Sequence, residues 1–73
     1  MKWISINKAL PMVSEKVLVW VVTESTSAPD VAVFELSNND CPYFYDYTCE
    51  ASYSLNPFYP IRVTHWMEIE APK

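Results

Sequence analysis

Residues 63–73 read Val63-Thr64-His65-Trp66-Met67-Glu68-Ile69-Glu70-Ala71-Pro72-Lys73, and residues 3–6 read Trp3-Ile4-Ser5-Ile6. Both runs alternate apolar and polar residues, and each contains a tryptophan. Alternation of this kind is typical of a β-strand that buries only one of its faces. We therefore predict that the two runs pair with each other and close both ends of the chain around one small core.

The sequence between these runs contains further strand patterns and no convincing helix. Residues 17–22, Val-Leu-Val-Trp-Val-Val, are continuously apolar and rich in β-branched side chains, which predicts a central strand covered on both faces. After a polar loop at 23–30, residues 31–36 are predicted to return as its hairpin partner, followed by a turn at 37–40. The pattern is completed by strands at 44–48 and 63–69 and by a strand or loop at 51–55.

These elements predict an all-β, mainly antiparallel fold, with residues 1–73 forming a single domain. We expect a small single sheet or a partly closed, barrel-like meander of four to five strands, with a long tyrosine-rich loop and little or no helix. The chain contains no glycine. Any turn that needs a left-handed residue is therefore expected to use Asn38, Asn39 or Asn56.

The three tryptophans have two interpretations. A chain of 73 residues buries only about 60% of its surface on folding, so its largest side chains are expected in the core. The alternative is a platform on which a ligand stacks. Both interpretations concern Trp3, Trp20 and Trp66.

A domain this small also often depends on a second copy of itself, so a homo-oligomer is a further possibility.

Charge and cysteine content narrow the class of protein. The net charge of −4, from nine acidic and five basic residues, argues against direct nucleic-acid binding, which needs a clustered basic face. No apolar run has the length of a membrane span, and no signal-peptide pattern is present, so we expect a soluble intracellular protein, located in the cytoplasm. Cys41 and Cys49 are expected to be thiols there, with a disulfide or half of a metal site as the alternative. No cofactor or metal is expected.

No arrangement of residues indicates an enzyme. His65 is the single histidine, and no nucleophile or second ligand set accompanies it. On an alternating strand, either Trp66 packs inside with His65 at the rim, or the reverse. Glu68 and Glu70 share one face, as acid–base pairs can, although a solvated edge that prevents edge-to-edge pairing explains them as well.

The two ends of the chain resemble a family of small phage and prophage proteins that is defined only as a domain of unknown function. The matching motifs cover roughly residues 3–36 and 63–72. The resemblance implies a phage setting and a small β-rich fold, without an established activity. Members usually carry glycines in the middle turns, which this chain lacks, and residues 40–60 contain no motif that carries the resemblance. The motifs that carry the resemblance are Trp3-Ile4-Ser5-Ile6, Leu10-Pro11, Val17-Leu18-Val19, Val63-Thr64-His65-Trp66-Met67 and Ala71-Pro72.

Residues 40–60 contain seven aromatic and three acidic residues and no basic residue. Tyrosine is enriched at protein interfaces, and the acidic residues favour a basic partner surface, such as that of a nucleic-acid-binding protein. The alternative is that this segment folds over the sheet as a second core layer. The predicted partner-binding residues are Asp40, Tyr43, Tyr45, Asp46, Tyr47, Glu50 and Tyr53.

We therefore predict a non-catalytic protein-binding module with no direct contact to nucleic acid or membrane. In the phage setting that the resemblance implies, it would be a stoichiometric inhibitor of a host protein, such as a component of a CRISPR or restriction system. The alternative is a structural or self-associating accessory subunit of a phage assembly.

Overall fold

The computed structural model describes residues 2–48 and 51–69, which form one six-stranded sheet and no helix. Among these residues, therefore, no helix is long and apolar enough to cross a bilayer. The strands are β1 (Ile4–Ser5), β2 (Lys16–Val22), β3 (Ser27–Leu36), β4 (Pro42–Asp46), β5 (Ser52–Ser54) and β6 (Arg62–Glu68).

The sheet closes on itself into a small barrel. Its strand order is β1-β6-β2-β3-β4-β5, and β5 pairs back onto β6 in parallel at Ser54 and Arg62. Strands β2 to β6 therefore form the barrel wall, and β1 is an additional strand on β6. The predicted pairing of the two ends is confirmed, because Ile4 lies opposite Trp66 and Ser5 opposite His65. The all-β, barrel-like prediction is confirmed as well.

The core fills the barrel from one side of each strand. In β2, Val17, Val19 and Val21 are buried, whereas Leu18 and Trp20 between them are only partly buried. The prediction that this strand is covered on both faces is therefore wrong. The described strands form a single sheet around the core, so the side chains of β2 point alternately into the core and toward the outer surface. The buried residues are Val17, Val19, Val21, Ala32, Phe34, Phe44, Val63 and Trp66.

Strand β3 begins earlier than the sequence predicts, at Ser27 instead of residue 31. The hairpin turn is tight because the Thr23 N–H donates to the Thr26 carbonyl (2.8 Å), and the Thr23 hydroxyl accepts from the Thr26 N–H (3.1 Å). Pro29 is accommodated opposite Trp20. The pairing of β3 with β4 extends only from Ala32 to Leu36. Pro29 lies outside it, so its missing N–H costs no hydrogen bond to β4.

Positive φ angles occur at Ser14 (71°) and Asp40 (60°) among the described residues. The expectation of Asn38, Asn39 or Asn56 is therefore wrong. The Ser14 N–H donates to the Phe34 carbonyl at 2.7 Å, and the Asp40 N–H donates to the Ser37 carbonyl at 2.9 Å. These backbone hydrogen bonds determine which residue of each turn takes the left-handed conformation. Asp tolerates that conformation better than most residues.

The tryptophans do not form a common core. Trp66 is buried, and its indole N–H donates to the carbonyl of Ala9 at 2.9 Å. Trp20 and Trp3 lie on the outer side, with Trp3 41% exposed. The expectation of three core tryptophans is therefore wrong for two of them. The position of each side chain follows from the alternation of its strand.

Strand β6 contains a β-bulge. Trp20 on β2 lies opposite His65, but the next residue, Val21, lies opposite Val63, so Thr64 is an extra residue. The bulge changes the phase of alternation along β6. Val63 and Trp66 therefore both point into the barrel, although they are three residues apart.

Candidate functional site

Strand β4 places Phe44 inside the barrel and two tyrosines outside it. Phe44 is fully buried and packs edge to face on Phe34, with ring centroids 5.2 Å apart. Tyr43 and Tyr45 project to the opposite side, and their ring centroids are 6.4 Å apart. Tyr47 follows the strand and is 58% exposed. We call Tyr43, Tyr45 and Tyr47 the tyrosine face.

A lysine from β2 reaches the tyrosine face across β3. Lys16 lies opposite Val33, which in turn lies opposite Tyr45. The Lys16 ammonium is 4.3 Å from the centroid of the Tyr47 ring. A cation–π contact at an exposed site contributes about 0.5–1 kcal/mol, enough to favour one orientation of the ring.

The acidic residues beside the tyrosine face come from two elements. Asp40 is exposed in the turn before β4. Glu35 lies opposite Tyr43 on β3, and its carboxylate accepts a hydrogen bond from the Ser14 hydroxyl at 3.0 Å. Glu35 was not among the predicted site residues, because its position next to Tyr43 depends on the pairing of β3 with β4. Glu50 lies outside the described residues.

Two of the predicted site residues belong to the inner side of the wall. Tyr53 lies opposite Phe44, and its hydroxyl donates to the Asp30 carboxylate at 2.6 Å. Burial, this hydrogen bond and the charges of Asp30 and Asp46 raise the pKa of Tyr53 above its usual value. Asp46 lies opposite Ala32 and accepts a hydrogen bond from the Thr48 hydroxyl at 2.8 Å. Asp46 and Tyr53 therefore lie on the inner side of the wall, opposite Tyr43 and Tyr45, although Tyr53 also lines a cleft that Tyr43 borders.

An open cleft of about 370 Å³ borders Tyr43. It lies between the β4–β5 hairpin and the loop that leads to β6, and none of the described residues that line it is acidic or basic. Such a cleft extends the contact area of the tyrosine face toward a partner. The lining residues are Pro42, Tyr43, Ser52, Tyr53, Ser54, Tyr59, Pro60 and Ile61.

His65 lies on the outer side of β6, and Trp66 lies inside. Of the two arrangements that the sequence allowed, the structure therefore has the one with Trp66 in the core. The His65 Nδ1 and the Thr64 hydroxyl oxygen are 2.9 Å apart, at hydrogen-bond distance. Trp3 and Trp20 meet edge to face beside His65, with ring centroids 5.8 Å apart, and the three side chains line a cleft of about 200 Å³.

The thiols and the carboxylates give no indication of a metal site within the described residues. Cys41 is an exposed free thiol, and Cys49 lies outside residues 2–48 and 51–69. Within those ranges, no group of three or more His, Cys, Asp or Glu side chains is placed to hold a metal ion. Glu68 is exposed, and Glu70 lies outside the described residues.

Comparison with known proteins yields one match. The sequence model of a family described as "Protein of unknown function (DUF551)" matches residues 2–73. The resemblance to a family defined as a domain of unknown function is confirmed at that level. No curated protein and no solved structure matches the chain.

Proposed function

The chain belongs to the DUF551 family, and we propose that this member is a non-catalytic protein-binding module that docks through its tyrosine face. The observation that carries the proposal is the alternation of β4. The buried Phe44 fixes the strand, and the alternation then directs Tyr43 and Tyr45 outward beside the exposed Tyr47. Tyrosines so placed offer a large contact area with polar tips.

The tyrosine face is held in position before any partner binds. Tyr43 and Tyr45 lie within contact of each other, and Lys16 lies over the ring of Tyr47. Tyr43 and Tyr45 also project from a strand that is paired on both sides, with β3 and with β5. Less conformational entropy is therefore lost on binding than with tyrosines on a free loop.

The charge around the tyrosine face favours a basic partner. Glu35 lies opposite Tyr43, Asp40 is exposed in the turn before β4, and the chain as a whole carries a net charge of −4. Complementary charge accelerates association and selects among partners. The partner surface would then be one that normally binds nucleic acid, which this chain would cover without contacting nucleic acid or a membrane itself.

The resemblance to phage proteins supports a more specific form of the proposal. The module would act in the host cytoplasm as a stoichiometric inhibitor of a host defence protein, such as a component of a CRISPR or restriction system. Inhibition would be steric, since binding alone blocks the basic surface. The contact residues would be Tyr43, Tyr45 and Tyr47, with Glu35 and Asp40 beside them.

A second candidate function is that of a self-associating accessory subunit of a phage assembly. The loop between β5 and β6 favours it, because Phe58 is 90% exposed, Tyr59 55% and Ile61 49%. Adjacent apolar side chains of this exposure often meet a second copy or a partner protein. In that case the chain alone elutes from a sizing column above the mass of a monomer, and Phe58→Ala returns it to the monomer.

The test of the primary proposal is an affinity capture from host lysate followed by reconstitution. Wild type is compared with the triple variant Tyr43→Ala, Tyr45→Ala, Tyr47→Ala and with the single variant Phe58→Ala. Phe58 serves as the matched control because it is an exposed aromatic residue outside the tyrosine face. A captured protein is then purified, and its affinity and stoichiometry are measured by calorimetry.

We expect wild type and Phe58→Ala to bind one partner stoichiometrically and the triple variant to bind at least ~10-fold more weakly. Binding should weaken as salt increases, because exposed complementary charges are screened. If the folded triple variant bound as tightly as wild type, the tyrosine face would not be the interface. If binding were lost only in Phe58→Ala, the interface would be the loop before β6 instead of the tyrosine face.

A further inference from the structure

The bulge in β6 places two cationic or protonatable side chains on the same side of the wall. Arg62 lies opposite Val22, and His65 lies opposite Trp20. Val22 and Trp20 are two residues apart on β2, so both face outward, and Arg62 and His65 must do the same. In a regular strand, residues three apart would face opposite sides. Bulges that redirect a side chain in this way are often found beside functional sites.

His65 is a lining residue of two pockets. On one side lies the cleft with Trp3 and Trp20, whose lining is almost entirely apolar. On the other side lies a pocket of about 160 Å³ in the gap between β1 and the end of β5, where Ser5, Asn7 and Arg62 are among the lining residues. His65 therefore connects an aromatic cleft to a polar pocket, and together they form one composite site.

The polar half of the composite site favours an anion. Among the described residues, no acidic side chain lines either pocket, although acidic residues outnumber basic ones in the chain. The Arg62 guanidinium donates to the carbonyl of Tyr59 at 3.3 Å and forms no ion pair within the described part of the chain. Its remaining N–H groups are available to a carboxylate or phosphate, the groups that a guanidinium binds best.

The aromatic half favours a planar ring. Trp3 and Trp20 meet at an angle of 71°, which leaves an open corner between two indole faces and edges. The side chain of Trp3 is 41% exposed, unusually high for a tryptophan in so small a domain. A flat ring can stack on one indole and meet the edge of the other, and each aromatic pair adds about 0.5–1.5 kcal/mol beyond area burial.

We propose that this composite site binds a small molecule in which a planar aromatic ring carries an anionic group. The ring would occupy the cleft of Trp3 and Trp20, and the anion would lie on Arg62 and His65. The shared chemistry fits two sources, a nucleoside monophosphate or an aromatic carboxylate. The composite site contains none of the residues of the tyrosine face, so the proposal is independent of the one above.

The experiment is an NMR titration that follows the three indole N–H signals and the ring C–H signals of His65. Adenosine monophosphate and N-acetyltryptophan are the two complete probes, and indole and inorganic phosphate each supply one half. We expect indole and inorganic phosphate to bind weakly. At least one complete probe should shift the signals of Trp3, Trp20 and His65 at a lower concentration than either of them. The signal of Trp66 is the internal reference, because its N–H is bonded to Ala9 inside the protein.

Variants separate the two halves of the composite site. Arg62→Ala should weaken the complete probe about 10-fold, as the loss of a charge-assisted bond does, and leave indole unaffected. Lys8→Ala is the matched control, since it removes the same charge from an exposed position that lines neither pocket. Trp20→Ala should weaken both the complete probe and indole.

Two results would overturn the proposal. One is the absence of any shift at Trp3, Trp20 or His65 with all four probes in the millimolar range. The other is a phosphate response as strong as that of the complete probes, which would leave an adventitious anion only. The stronger of the two complete probes identifies the source of the ligand.

Discussion

At the scale of the residue, the pair of Tyr53 and Asp30 shows how polar groups are accommodated inside this barrel. The Tyr53 hydroxyl donates to one carboxylate oxygen of Asp30, and the other oxygen accepts from the Val31 N–H at 2.8 Å. No buried side-chain nitrogen or oxygen of the described residues is without a hydrogen-bond partner. The neutral phenol is therefore the form that the folded protein favours, and its pKa is raised.

Tyr53→Phe should reduce the free energy of unfolding at neutral pH by about 1–2 kcal/mol, because Asp30 loses a hydrogen-bond donor. The phenol pKa is raised above its unfolded value of 10.0, so the contribution is complete below that pH and decreases as the pH rises further. The difference between wild type and variant should therefore narrow above about pH 10. Urea denaturation across this range measures it.

Tyr59→Phe is the control for this prediction, since Tyr59 is exposed and makes no side-chain hydrogen bond among those of the described residues. Equal losses of stability in the two variants would mean that the bond to Asp30 contributes nothing.

At the scale of the element, the sequence predicts what depends on a strand alone and fails where a neighbouring strand decides. Alternation around Trp66 correctly placed His65 on the other face. No pattern in the sequence predicts that Thr64 is an extra residue, because a bulge is defined by the register with β2. Pro29 is a second case in which a neighbouring strand decides. A central strand excludes proline, but this part of β3 accepts it because β4 does not extend as far as Pro29.

Deletion of Thr64 should leave the domain folded and make β6 a regular strand. Without the extra residue, Val63 and Trp66 are two positions apart and still face the core, and the pairs Val21–Val63 and Trp20–His65 become consecutive. The free energy of unfolding should therefore change by no more than about 1 kcal/mol. Circular dichroism with thermal unfolding measures the effect.

Thr64→Ala keeps the length of β6 and loses only the hydroxyl that faces His65, so it should remain folded. A deletion variant that melts far below Thr64→Ala would contradict this and show that the closed barrel needs the bulge itself.

At the scale of the whole molecule, a wall of single thickness gives each strand a core side and a surface side. This is why Phe44 is a core residue, whereas Tyr43, Tyr45 and Tyr47, three of the predicted partner-binding residues, lie on the surface side. Asp46 and Tyr53, which the sequence analysis grouped with them, lie on the inner side of the wall. Their side of the wall follows from the pairing of β3, β4 and β5, which the tyrosine-rich sequence does not reveal.

Phe44→Ala and Tyr45→Ala therefore should differ greatly in stability, although the two residues are adjacent. Loss of the fully buried Phe44 ring should cost about 3–5 kcal/mol. Loss of the half-exposed Tyr45 ring should cost roughly 1 kcal/mol. Chemical denaturation of the two variants gives both values, and equal costs would mean that both rings belong to the core.

The closure of the barrel has a consequence for its motion. β5 meets β6 through one residue pair, whereas β2 meets β3 through pairs along its entire length. Local opening should therefore begin at this seam, with Ser54 separating from Arg62 before the β2–β3 ladder loosens. Any molecule that binds only the closed barrel keeps the seam shut by mass action. A protein on β4 and a small molecule at Arg62 would then strengthen each other's binding without touching, because both select the same closed form.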